Sequence, residues 1–143
     1  MADYLRAHSA VNDRIGVLGS EPQICFYAHR RSAGGYLCTY ALVEPQPYAP
    51  AMQREMIQEI EAAKPEYLVW VGFANSWMVQ PSSDPGIFRW FNRYRGEFYE
   101  PVAQVDTRAD GETIYSWNGA VTNHPDSGDL SITIYKRTNP SGH

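Results

Sequence analysis

The sequence predicts an α/β fold: a Rossmann-like three-layer sandwich with a mostly parallel sheet and a C-terminal antiparallel β-meander. Three observations predict it. The apolar runs at 15–18 and 67–72 are almost continuous, as in strands covered on both faces. The segments between and after them carry a helical period. The order reads strand, helix, strand, helix, strand, helix, then strands alone, an alternation that calls for crossovers between parallel strands. A length of 143 residues suits one domain that buries a core without staples.

Each element has its own signal. Residues 3–10 form a short, weakly amphipathic helix with Leu5, Ala7 and Ala10, broken by Asn12-Asp13. Ile15 to Leu18 is a buried strand ending in "GSEP". Pro22 suits the first turn of a helix that Ser20 caps and that runs to about His29. Gly34-Gly35 turns the chain into "YLCTYAL", 36–42, whose aromatic and β-branched residues read as a second strand. Three prolines make 44–50 a loop. Pro50 opens a helix over 50–64 with Met52, Met56, Ile57, Ile60 and Ala63 on its apolar side, and Lys64-Pro65 ends it.

After the strand at 67–72, residues 73–86 read as a loop. Asp84-Pro85 starts a helix to about Tyr94 carrying Ile87, Phe88, Trp90 and Phe91, and Gly96 is expected to stop it. Strands follow at 98–106, 113–117 and 131–136. Asp110-Gly111 marks a hairpin between the first two, and a polar loop over 118–129 joins the last two.

The totals exclude several classes of function. Net charge is -4, and "HRR" at 29–31 is the only dense basic spot, so a general nucleic-acid or anionic-membrane surface is disfavoured. Cys25 and Cys38 form no CxxC and have no clustered histidines, so zinc is not indicated. Pairing between them stays open, and buried free thiols are the default expectation. No apolar stretch is long enough to span a bilayer, and no signal peptide is present. "ADYLRAHSA" directly after Met1 reads like a helix already under way, as at a boundary inside a larger protein.

The motifs point to an edge rather than a reaction. Ligands in open α/β sheets favour the carboxyl ends of strands, which puts "GVLGSEP" and "FANSW" on the edge to watch. "GVLGSEP" matches neither phosphate-loop pattern, and Glu21 at the helix start would repel a phosphate; a plain strand-to-helix turn is the simpler reading. Arg30 and Arg31 would clamp a phosphate or carboxylate, or else complement the dipole in the last turn of a helix. Trp77 would stack on a sugar ring with Asn75 and Ser76 hydrogen-bonding, or fold back over the sheet end. The loop carboxylates Glu44, Asp84, Asp106, Asp110 and Asp129 form no spaced acid/base pair. There is no GxSxG elbow, Cys25 is mid-helix, and His8, His29, His124 and His143 are scattered.

The linear pattern carries a resemblance. "DRIGVLGSEPQICFYAHRRSAGGYLCTYAL" is followed by "QREMIQEIEAAKPEYLVWV", "NSW", "IFRWFNRY", "FYEPVAQVD" and "ITIYKR". Over roughly residues 3–137 this resembles the C-terminal soluble domain of bacterial polytopic membrane glycosyltransferases. Those are the proteins related to protein O-mannosyltransferases and to lipid A aminoarabinose transferases. "GSEPQ", "RRSA" and "KPEYLV" are the most distinctive matches, and none is a catalytic signature.

The resemblance implies a parent enzyme with membrane helices ahead of this chain and a polyprenyl-phosphate-linked sugar as donor. The catalytic acid would lie in an early loop outside this chain. The present domain would sit on the extracytoplasmic side of the cytoplasmic membrane, partnered by the transmembrane portion and in reach of the lipid-linked sugar head group. It would have no catalytic residue, no cofactor and no nucleic-acid partner. Its ligand contacts would be Ser20, Glu21, Asn75, Ser76 and Trp77 at the strand ends, with Arg30 or Arg31 meeting phosphate. Two rival expectations stand beside it: a free-standing α/β protein that binds a nucleotide or sugar phosphate, and a pure interaction module whose aromatics form a partner face.

Overall fold

The computed structural model describes residues 1–121 and 130–138. It is an α/β structure built on an open, mixed six-stranded sheet. In chain order the elements are α1 (Ala2–His8), β1 (Arg14–Leu18), α2 (Gln23–Ala28), β2 (Arg31–Ser32), α3 (Tyr40–Val43) and α4 (Ala49–Ala63). There follow β3 (Tyr67–Val71), α5 (Ala74–Trp77), α6 (Gly86–Phe98), β4 (Tyr99–Thr107), β5 (Thr113–Trp117), a 3₁₀ turn (Asn118–Ala120) and β6 (Leu130–Arg137).

The strands lie in the order β2-β1-β3-β6-β4-β5. The β1–β2 and β1–β3 pairings are parallel, and the other three are antiparallel. Alternation along the strands feeds two cores. Ile15, Val17, Val69 and Val71 pack with Leu5 of α1 and with Ile24 and Ala28 of α2. Leu18, Leu68 and Tyr135 pack with Leu42, Met56, Ile60, Ile87 and Phe91 from α3, α4 and α6.

Four expectations need correction. The second strand is Arg31–Ser32, not 36–42, and the chain there makes bends and then α3. Thr39, Leu42 and Val43 are the buried residues of that stretch while Leu37 and Tyr40 are exposed. That is helical spacing rather than alternation. The expected loop 73–86 contains the one-turn helix α5.

Gly96 does not stop α6, which continues to Phe98 because Phe98 still packs on the core. The C-terminal strands do not form a meander: β4 and β5 make the expected hairpin across Asp110-Gly111, but β6 inserts between β3 and β4. Its Ile134 and Tyr135 are buried in opposite cores, so it suits a centre and not an edge. The parallel pairings are accordingly a minority of the sheet. Most of the expected polar loop, with His124 and Asp129, lies outside the described residues, as does His143.

The helix boundaries otherwise follow local chemistry. α4 ends at Lys64 in the left-handed conformation, directly before Pro65. Gln53, buried in α4, was not anticipated: its amide donates to Leu42 O (2.7 Å) and Asp84 O (3.0 Å) and accepts from Ile87 N–H (2.8 Å). One side chain thus ties α3, α4 and the start of α6 together.

Candidate functional site

The carboxyl edge of β1 and β3 brings together most of the residues singled out in the sequence. β1 leaves the sheet at Gly19, whose φ is 146°. A Cβ there would fall 2.6 Å from that of Val71, so glycine lets the chain turn directly against β3. The turn then locks onto α5. Ser20 N–H donates to Ser76 Oγ (2.7 Å), Ser20 Oγ donates to Ser76 O (2.7 Å), and Ser76 Oγ donates to Glu21 Oε2 (2.6 Å). Thr39, fully buried and missed in the sequence, completes the cluster: its N–H donates to Ser20 Oγ (2.9 Å) and its hydroxyl to Ser76 O (3.1 Å). "GSEP", "TYALV" and "ANSW" are therefore clasped to one another. Ser20, Glu21 and Ser76 meet as expected, but they satisfy each other. The one sequence signal for this was the polar pair in "NSW" one strand length beyond "KPEYL".

Trp77 answers its open question against sugar stacking. It is 3% exposed, its indole N–H donates to Val71 O (2.8 Å), and its ring packs against Trp70 and Phe88. The side chain folds back over the sheet end and leaves almost no exposed surface for a sugar to stack on. Asn75 is exposed beside it. It lines an open groove of about 560 Å³ with Phe73, Met78, Val79, Gln80 and Phe88. Met78 and Val79 stand 62% and 55% exposed on its rim. Among the described residues no titratable side chain lines the groove.

The two arginines separate. Neither sits in a last helical turn, since α2 ends at Ala28 and His29 follows in the left-handed conformation. Arg30 Nε donates to Ser9 Oγ (2.9 Å), and its terminal nitrogens donate to Ala28 O (3.3 Å), His29 O (3.1 Å), Arg6 O (3.0 Å) and Ser9 O (2.7 Å). A guanidinium has five N–H donors, and all five are occupied. Arg30 pins the carboxyl ends of α1 and α2 together and has no donor for a phosphate. Arg31 is exposed at the start of β2, on the sheet edge opposite the groove.

The cysteines differ: Cys25 is buried and free, as expected, whereas Cys38 is free but exposed. Burial pushes the Cys25 thiol up from its ordinary value, which suits an inert core residue. Among the described residues no three of His, Cys, Asp and Glu gather closely enough to hold a metal ion, and no helix is long and apolar enough to cross a membrane.

Compared with protein-family models, with curated proteins and with solved structures, the chain finds no match.

Proposed function

We propose that this chain is a non-catalytic extramembrane domain of a bacterial membrane glycosyltransferase that uses a polyprenyl-phosphate-linked sugar. It sits on the extracytoplasmic side, docks on the transmembrane portion of its parent and assists substrate positioning or assembly there. Its architecture is a variant of the Rossmann-like three-layer sandwich with an antiparallel extension. The two cores on the two sheet faces support that reading.

The observation that carries the functional proposal is the groove at the carboxyl edge. Its described lining is mostly apolar and holds no titratable side chain, and Met78 and Val79 project from it into solvent. A surface of that kind suits packing against another apolar surface better than it suits chemistry. The clasp of Ser20, Ser76 and Thr39 supports the same division of labour, because it turns the expected ligand edge into a rigid base for the groove.

The test is to read the gene around this chain and express the whole product. A series of apolar segments upstream of Asp3, with Met78→Lys or Val79→Lys releasing a separately expressed domain from the membrane portion, is the expected result. A reading frame without such segments, or binding that ignores both lysines, would remove the proposal. A second reading, an interaction module, is favoured by one observation. Tyr115 and Trp117 lie exposed on β5, and Tyr4 and His8 continue their row of near-parallel rings. A dimer in sedimentation that Trp117→Ser dissociates would favour it.

A further inference from the structure

At the amino-terminal edge of the sheet, opposite the groove, β1 and β2 begin side by side, and each begins with arginine. Arg14 pairs in register with Arg31. Neighbouring strands lie about 4.8 Å apart, and register partners on parallel strands present their side chains to the same face. Like charges directly opposite each other destabilise a sheet. The chain has acids enough to neutralise them, 16 against 12 bases. Yet the ion pairs found among the described residues are Arg6–Asp3, Arg108–Glu112 and Lys136–Glu66, and neither edge arginine takes part.

Arg14 donates one N–H to Ser32 O (3.0 Å), and both arginines are exposed residues. Both line an open depression of about 640 Å³ together with Asn12, His29 and Arg30, and no carboxylate among the described residues lines it. Arg30 is a wall of this site rather than a ligand, because its donors are occupied and its charge faces two helix carboxyl ends. The acids along this edge are engaged elsewhere: Glu59 shares a separate depression with Arg14 and accepts Gly35 N–H (2.7 Å), Asp13 accepts Ala10 N–H (2.6 Å), and Glu66 pairs with Lys136 (3.9 Å).

We infer that the Arg14–Arg31 pair is an oxyanion site that takes a phosphate group. A phosphate placed between the two guanidinium groups accepts paired N–H donors from each and converts a like-charge repulsion into two charge-assisted contacts. Asn12 and His29 line the same wall. The phosphate comes either from a free ester or from a lipid head group. Val11 and Phe26, exposed on the rim, are placed to meet an apolar body attached to it. This site does not rest on the membrane-domain reading.

The test is a nuclear magnetic resonance titration of the whole chain at constant ionic strength. One arm uses inorganic phosphate. The other uses vesicles of phosphatidylcholine, with and without phosphatidylglycerol. The expected result is saturable shifts in residues 11–14 and 25–32 and in the side-chain N–H signals of Arg14 and Arg31. Arg31→Ala should weaken binding roughly tenfold or more, and the Arg14→Ala/Arg31→Ala pair should abolish it. Arg31→Lys should keep only part of the affinity, because it retains the charge and loses the fork. Arg89→Ala, an exposed arginine on α6, should change nothing. Binding to phosphatidylglycerol vesicles alone, with the same arginine dependence, assigns the phosphate to lipid. Shifts that never saturate, or that survive the double variant in a protein still folded by its spectrum, overturn the site.

Discussion

Single side chains here carry more structural consequence than their surface position suggests, and Arg30 is the plainest case. Its five donors hold four carbonyls and a hydroxyl from two helix ends. Arg30→Ala should lower stability by about 2–3 kcal/mol, measured by denaturant unfolding. Arg30→Lys should recover little, since three ammonium protons on a flexible stem cannot reach five acceptors. The thiols give a second check at the same scale. A thiol reagent should modify Cys38 in the native protein and reach Cys25 only on unfolding.

The tyrosines set the alkaline limit. Tyr36 donates to Glu55, and that bond with its carboxylate pushes the phenol up to about 12. Burial raises Tyr99 and Tyr135 as well. The unfolded chain loses these protons near pH 10 and the folded one later, so the unfolded state binds fewer protons in that window. Stability should therefore be fully present below about pH 10 and fall as pH rises towards about 12. Denaturant midpoints taken across that range, alongside phenolate absorbance, would check it. A flat profile would contradict the assignment.

At the scale of elements, α6 and the clasp make opposite predictions. A Cβ at Gly96 would meet nothing within 4 Å, and the residue lies inside a helix. Gly96→Ala should stabilise the protein by about 0.5–1 kcal/mol. Ser76 is buried, and its hydroxyl serves both Ser20 N–H and Glu21. Ser76→Ala leaves the part-buried Ser20 N–H and the Glu21 carboxylate without this partner and should cost about 1–3 kcal/mol in the same assay. The two variants also show why the elements were unevenly legible. β1, α4 and β3 could be read because their own apolar patterns determine them. The end of α6 could not, because Phe98 outweighs the local preference of Gly96. "YLCTYAL" misled because strand-type residues were recruited to the helical spacing of Thr39, Leu42 and Val43 under α4. In the candidate site, "GSEP" and "NSW" were legible as parts of one edge. Their mutual hydrogen bonding was not, because it depends on a register between residues 55 and 56 positions apart.

For the whole molecule, the two ends of the central strands present contrasting surfaces. One presents an apolar groove and the other a pair of arginines, with β1 and β3 spanning the roughly 17 Å between them. The order of the strands sets a further condition. β6 is the last of the described strands, yet it lies between β3 and β4 and pairs with both, joining the parallel half of the sheet to the hairpin. During synthesis, at about 5–20 residues per second, every earlier element leaves the ribosome before this joint is available. Until then β3 and β4 each offer an unpaired edge to any neighbouring nascent chain. A ribosome that stalls short of Leu130 would therefore hold two half-sheets without the strand that hydrogen-bonds them together. Supplying the β6 segment as a separate peptide would be the natural means of closing them.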